Sequence, residues 1–197
     1  MSKKPYHHGD LRSVMIEKGI ELIDKDGAKG LSLRKLAAAC GVSHSAPYSH
    51  FANKEELFAA ITTHITDKFA AVLKESAKEA GETPKGLHDM GCAYVLFFVR
   101  NPEYFRFIFQ HSDIIVGDDH PYEPYDFFKS FIYKVFDRIN YPPEQRRKIA
   151  IMQWAVIHGL ASIAIMGGRK NIPMWEQSVS DMLSGGVFDN SIAPPFR

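Results

Sequence analysis

Tyr48, His50 and Lys54 stand within seven residues of one another in the stretch GVSHSAPYSHFANKEEL (41–57). A phenol hydroxyl, an imidazole and an ammonium group so close together suit phosphate contact and the lining of a nucleic-acid groove. The small polar residues Ser43, His44 and Ser45 precede them, and Pro47 sits among them. A proline is out of place inside a core helix. It costs little in the first turn, where the N–H groups lack intrahelical partners. There it fixes φ and stiffens the start of a short exposed helix, from which Tyr48 and His50 each project a ring.

Other residues with chemistry to offer are poorly arranged for it. Asp118, Asp119 and His120 are adjacent, but in a polar segment without a partner. His7 and His8, side by side in a tail, make a poor metal site. With Lys3 and Lys4 they suit proximity to phosphate, or else belong to a disordered tail. Cys40 and Cys92 have no metal-ligand spacing and are too few for a disulfide framework. Neither HExxH, P-loop nor nucleophile elbow occurs. These observations point away from an enzyme, a metal or a cofactor, and toward a reducing, cytoplasmic setting.

The elements that must position the 41–57 stretch read as helices throughout, with no run of period two. Asp10 is placed to cap a first helix, with Leu11, Val14, Met15, Gly19, Leu22 and Ile23 on one face. Ser32 caps a second, whose buried side is Leu33, Leu36, Ala37 and Cys40. Gly41 supplies the positive φ of a tight turn, and a third helix starts at Ser43 or His44. Asn53 caps a fourth, with Glu56 completing a capping box, that runs to about Ala80. Thr83-Pro84, Asn101-Pro102, the prolines at 121 and 124, Pro142-Pro143 and Pro173 mark five more starts. The segment 111–120 reads as a loop, and the tail from Gly185 as loosely held. The fold class is all-α: a three-helix N-terminal domain (1–54) with a helix-turn-helix, joined by a linking helix to a C-terminal helical bundle (55–197).

Helices two and three with the Gly41 turn meet the demands of a helix-turn-helix. Leu36, Ala37 and Val42 are apolar where the helices must touch, and Ala37 is small enough for close approach. The start of such a second helix reaches base edges in the major groove. Charge agrees. The whole chain carries +1, but residues 1–54 carry +4 and residues 55–197 carry −3. A basic end on a mildly acidic body suggests a polyanion partner. The longest apolar patch, 149–166, is broken by Gln153 and His158, so no membrane span is expected.

Residues 11–58 resemble the DNA-binding domain of the TetR family of bacterial transcriptional regulators. The matching runs are LSLRKLAAACGVS (31–43) and YSHFANKEELF (48–58). The resemblance implies that His44, Ser45 and Ala46 face bases, behind Ser43 at the start of the helix. It also implies that Tyr48, Ser49 and His50 line backbone or base contacts and that Lys54 holds a phosphate. Phe51 and Leu57 would be core. Pro47 departs from the aliphatic residue associated with its position. WAVIHGLASIAIMG (154–167) resembles the Trp-x-x-x-His-Gly subgroup, and NPEYFRFIF (101–109) fits it too.

The C-terminal resemblance implies a ligand-responsive, dimerising domain. Helices 143–168 and 174–184 carry Ala155, Gly159, Ala161 and Ala164, small enough for a two-fold helix–helix interface. Tyr94, Phe97, Phe98, Phe105 and Phe109 belong to a dense aromatic set. Phe128, Phe131, Trp154 and His158 extend it. The set either lines a pocket for a small molecule or simply fills a core. His88, Tyr94, Gln153 and His158 are its candidate polar groups. Trp154 and His158, four apart, share a helix face, and the simplest role for His158 is a hydrogen bond to a backbone carbonyl.

The expected protein is a homodimeric regulator that binds double-stranded operator DNA and has no membrane partner. It would be a repressor released by an unidentified small apolar or aromatic effector. The rival is a ligand-binding or scaffold protein whose helix-turn-helix does not read DNA. Ala46 and Pro47, with few base-edge hydrogen bonds to offer, favour that rival.

Overall fold

The structure, a computed structural model, describes residues 8–111, 121–168 and 171–184. Expectations for His7, Lys3, Lys4, Asp118, Asp119, His120 and the tail from Gly185 lie outside the described residues. Eight α-helices occur among the described residues, and no strand. They are α1 (His8–Asp26), α2 (Leu33–Cys40), α3 (Lys54–Ser76), α4 (Pro84–Arg100), α5 (Pro102–His111), α6 (Glu123–Arg138), α7 (Pro143–Met166) and α8 (Ile172–Leu183). Short 3-10 turns cover Ala28–Gly30 and Ala46–Ser49.

The described chain forms two compact units. The first holds residues up to Ile65 together with the segment from Glu103. In it α1 packs on α2, and α2 on the Ala46–Ser49 turn. The buried stripe of α1 is Met15, Ile16, Ile20 and Ile23. Leu11, Val14 and Leu22 are only half-buried, so the helix is rotated toward Ile16 and Ile20 relative to the expected face. A Cβ at Gly19 would stand 3.2 Å from Ile61 Cδ1, so glycine lets α1 approach the first turns of α3 closely. The segment from Glu103 belongs here because Tyr104 donates to Glu17 (2.8 and 2.9 Å) and Arg106 to Asp24 (2.6 Å). The boundary expected at 54/55 thus differs from the division of the structure, which falls inside α3 and places α5 with the N-terminal residues.

The second unit holds the rest of α3 with α4, α6, α7 and α8. Here α4 is central and packs on α6, α7 and α8. Thr83 accepts from Gly86 N at 3.1 Å and caps α4, with Pro84 at its first position. The α3–α4 turn passes through Gly81 at φ 61°, a left-handed conformation that suits glycine.

Several local expectations are corrected. α1 begins at His8, so Asp10 lies inside it. α3 ends at Ser76 and residues 77–80 are a turn. The Asn101 side-chain amide donates to Phe97 O at 2.7 Å, closing α4 rather than opening α5. α7 is, after all, long and apolar enough to cross a membrane, because Gln153 and His158 interrupt the run without adding charge. In the structure α7 buries Trp154, Ile157 and Ala161 within the second unit.

Candidate functional site

Local chemistry builds the helix-turn-helix of the first unit. Ser32 Oγ accepts from Lys35 N at 3.2 Å and opens α2. Gly41 closes α2 in the left-handed conformation (φ 66°, ψ 31°). Val42 N then donates back to Ala37 O at 3.0 Å, satisfying a carbonyl the helix end leaves free. Asn53 Oδ1 accepts from Glu56 N at 2.8 Å, and the Glu56 carboxylate accepts from Ala52 N at 2.6 Å. The Asn53–Glu56 cap therefore forms, shifted by one residue at its return bond.

The element expected to read DNA is not an α-helix. It is a 3-10 turn of four residues, Ala46–Ser49. The hydroxyls account for the difference. Ser49 Oγ donates to Ala46 O at 2.7 Å, occupying the carbonyl that an α-helix would offer to the N–H of residue 50. His50 N turns to Pro47 O at 3.0 Å, and Phe51 N shares that acceptor at 2.9 Å. Ser43 and Ser45 exchange a hydroxyl contact of 3.2 Å. Pro47 is buried and anchors the turn, beyond merely stiffening it. Phe51 is buried beside it, with the Arg12 guanidinium 5.2 Å from its ring centre.

This anchoring leaves Ser43, His44, Ser45, Tyr48 and Ser49 exposed, with Ala46, His50 and Lys54 half-buried. Tyr48 is 59% exposed, a large solvent share for an aromatic ring held beside two buried anchors. Lys54 behaves differently from a free surface lysine. Its Nζ donates to Ala28 O at 2.7 Å and lies 5.5 Å from the centre of the Phe58 ring.

The aromatic residues expected around a ligand fall in both units. Phe105 and Phe109 lie in the first, in contact with each other at 4.9 Å. Tyr94, Phe97, Phe98, Phe128, Phe131, Trp154 and His158 lie in the second. Tyr94 meets Trp154 edge-on at 4.9 Å and Phe69 at 5.0 Å, while Trp154 meets Phe128 at 5.3 Å. These rings fill a core. An open groove of about 450 Å³ runs beside it, lined by Val72, Asp89, Cys92, Leu96, Phe97 and Arg100 among others. Of the expected ligand residues, Phe97 alone lines this groove.

His158 bonds to a side chain. Its Nδ1 lies 2.8 Å from the Tyr94 hydroxyl. Burial holds the His158 imidazole below its ordinary pKa and raises the Tyr94 phenol well above its own. His88 ties α4 to α8, with Nε2 3.1 Å from Ser180 O. Cys92 lies 3.8 and 3.9 Å from its ring nitrogens, and burial pushes the thiol up to about 11. Gln153 is fully buried. No group of three or more histidine, cysteine or acidic side chains could hold a metal among the described residues.

Two polar residues escaped the sequence reading. Thr66, on α3, and Tyr122, at the N-cap of α6, bury their hydroxyls. No pattern in the sequence marks them. The Glu17–His64 bond (2.8 Å) in the first unit joins residues 47 apart and was equally silent.

One unit with a glycine-turned helix-turn-helix, and another of packed helices, define a helical DNA-binding regulator fold. Two family descriptions match the chain. "Bacterial regulatory proteins, tetR family" covers residues 15–61, and "Tetracyclin repressor-like, C-terminal domain" covers residues 87–184. The chain belongs to the tetR family of bacterial regulatory proteins.

Among curated relatives, nucleoid occlusion factor SlmA of Cronobacter sakazakii is 26% identical over 113 residues, 57% of each chain. The chain thus spans little more than half the length of this relative. A Rhodococcus sp. RHA1 protein of unknown function is 26% identical, with a TM-score of 0.71 over 91% of this chain and 96% of that one. AibR, solved with isovaleryl coenzyme A and operator DNA, is 18% identical, with a TM-score of 0.67 over 87% and 97%. At that identity the likeness to AibR is one of fold.

Proposed function

We propose that this chain is a homodimeric, sequence-specific, cytoplasmic transcriptional regulator, a repressor released from operator DNA by a small apolar or aromatic effector. Its role is regulatory, not catalytic. The observation that carries the reading is the Ala46–Ser49 turn, where buried Pro47 and Phe51 hold His44 and Tyr48 out in solvent. Exposed donors on a rigid anchor are what base-edge and phosphate contact require. His44, Ser45 and Ala46 would face bases, with Ser43 beside them. Tyr48, Ser49 and His50 would flank them, and Lys54 would reach phosphate with the two ammonium donors that Ala28 O does not use. AibR, with both an acyl thioester and operator DNA, is a relative in fold for which both kinds of partner are recorded.

Dimerisation is supported by the outer face of α7 and α8. Ile151, Met152, Val156, Ile163 and Met166 on α7, with Met174 and Met182 on α8, are exposed large apolar residues. Pairing this face with a second copy about a two-fold axis would cover it, and it explains the apolar length of α7 without a membrane. The C-terminal domain would fall in the Trp-x-x-x-His-Gly subgroup, whose Trp154 and His158 both touch Tyr94.

The second reading is a sensor or scaffold that no longer reads DNA. Its support is that Ser49 is bonded to Ala46 O and that Ser43 and Ser45 face each other, which leaves few free hydroxyls. Selection of bound duplexes from a random pool separates the two. Enrichment of a two-fold-symmetric site supports the regulator. No enrichment by the folded dimer supports the second reading.

A further inference from the structure

The central helix of the second unit, α4, buries most of its length against α6, α7 and α8. One stripe of it stays part-open. Asp89, Cys92 and Leu96 are half-buried and Arg100 is exposed. Spacings of three and four residues put these four on one helix face. With Phe97, and with Val72 of α3, they line the open groove of about 450 Å³. That volume falls within the range of about 300–1,000 Å³ usual for small-molecule sites. The aromatic core behind the groove is filled by its own rings, with Phe69 against Tyr94 at 5.0 Å and Phe97 at 5.1 Å. A ligand finds room in the groove, not between the rings.

The two ends of the groove carry opposite charges with unequal capacity. Asp89 and Arg100 are three turns apart on α4, about 16 Å along its axis. Both oxygens of Asp89 face partners, Lys85 Nζ at 2.5 Å from Oδ2 and His88 Nδ1 at 3.4 Å from Oδ1. Arg100 is engaged on one edge only. Its Nε donates to Glu176 Oε1 at 2.9 Å, and Nη2 lies 2.8 Å from the same oxygen. The outer edge, Nη1 with the second N–H of Nη2, keeps its donors for another acceptor. Arg100 and Glu176 are both exposed, and such a pair contributes little to stability. Between the ends the floor is apolar, and the Cys92 thiol stays uncharged because burial pushes its pKa up to about 11. Arg100 also stands two residues before α5, the helix that ties Tyr104 to Glu17 in the first unit.

We propose that this groove is the effector site and that the effector is an amphipathic monocarboxylate, whose carboxylate pairs with the outer edge of Arg100 while its apolar body lies over Phe97, Leu96 and Cys92 and ends short of Asp89. The proposal rests on the regulator reading and gives its effector a chemical class. Amines meet the wrong charge at Arg100, and Asp89 has no oxygen left to offer them. A dicarboxylate that spans the groove brings its second charge against Asp89. An uncharged body of the same shape forfeits the Arg100 pair.

The test uses three probes of one shape on the full chain: phenylbutyrate, phenylbutanol and phenylbutylamine. Calorimetry measures their affinities. Phenylbutyrate is expected to bind about tenfold or more tightly than either of the others, as hydrogen bonds between charged groups imply. Arg100→Gln and Glu176→Gln break the same ion pair and should act in opposite directions. Arg100→Gln should bring phenylbutyrate down to the level of phenylbutanol, whereas Glu176→Gln should tighten phenylbutyrate and leave phenylbutanol unchanged. A pair with only a structural role would move both variants alike. Phenylbutyrate should also slow the alkylation of Cys92 by iodoacetamide and leave that of Cys40, in the first unit, unchanged, as peptide masses report. Equal affinities of the three probes, a weaker phenylbutyrate complex in Glu176→Gln, an unprotected Cys92, or no saturable binding overturns the proposal. Specific DNA binding is measured in parallel, with and without phenylbutyrate. A chain that prefers the carboxylate but binds no DNA specifically tells against the regulator reading and leaves the carboxylate site standing. Specific DNA binding with no carboxylate preference, or unchanged by saturating phenylbutyrate, overturns this proposal alone.

Discussion

Lys54→Met separates a structural lysine from a purely DNA-facing one. In the structure the ammonium donates to Ala28 O at 2.7 Å from a half-buried position. A hydrogen bond from a charged group contributes about 1.5–3 kcal/mol. Against this, Lys54 is the first residue of α3, where a positive charge opposes the helix dipole by about 0.3–1 kcal/mol. The bond outweighs the dipole, so the substitution should destabilise the protein by about 1–2 kcal/mol. Contact with the Phe58 ring at 5.5 Å adds to the loss only in part, since the same ammonium makes both interactions. Urea unfolding followed by far-ultraviolet circular dichroism is the assay. Tryptophan fluorescence is the wrong probe, because Trp154 and Trp175 both lie in the second unit. The midpoint should fall with the slope unchanged. A shift within about 0.5 kcal/mol, the usual range for an exposed side chain, would refute the tether. On DNA, the same variant should lower the salt slope by about one counterion.

Three further outcomes follow from the geometry. Gly86→Ala would place its Cβ against the Gly81 carbonyl oxygen and 3.0 Å from the Phe131 ring. Overpacking of about 1–3 kcal/mol should exceed the gain of about 1 kcal/mol in helix propensity, so the urea midpoint should fall; a rise would refute the close approach. Because burial lowers the folded pKa of His158, the unfolded chain binds the proton first as pH drops. Its contribution is therefore intact above its ordinary value of 6.5 and is lost as pH falls through the lowered folded value. His158→Gln should flatten that part of the acid limb, read from midpoints at a series of pH values. Ile163 is 60% exposed on α7, and Ile163→Glu should yield monomers in analytical ultracentrifugation; an unchanged dimer would move the interface elsewhere.

Local signals in the sequence were sufficient for the element order. Ser32, Gly41 and Thr83 act where their side chains or φ values demand, and each acts within a few residues of itself. The 3-10 form of 46–49 was hidden because it depends on whether Ser49 or His50 takes Ala46 O, a competition that propensity does not resolve. The place of α5 in the first unit depends on Tyr104 reaching Glu17 across 87 residues. Trp154 and His158 were visible as an i, i+4 pair, but Tyr94, 64 residues from His158, was needed to show what the imidazole meets. Thr66 and Tyr122 stand out only by the burial of their hydroxyls, a property that no single-residue pattern encodes.

Equilibrium binding of an enriched duplex tests the central claim most directly, measured at two salt concentrations for the native chain and for Tyr48→Ala with His44→Ala. The account predicts specific binding that weakens steeply with salt, and a variant that stays folded and dimeric but loses most of its preference over random DNA. A variant that binds the selected site as tightly as the native chain would contradict it, because the exposed His44 and Tyr48 side chains would then not be the ones that read DNA.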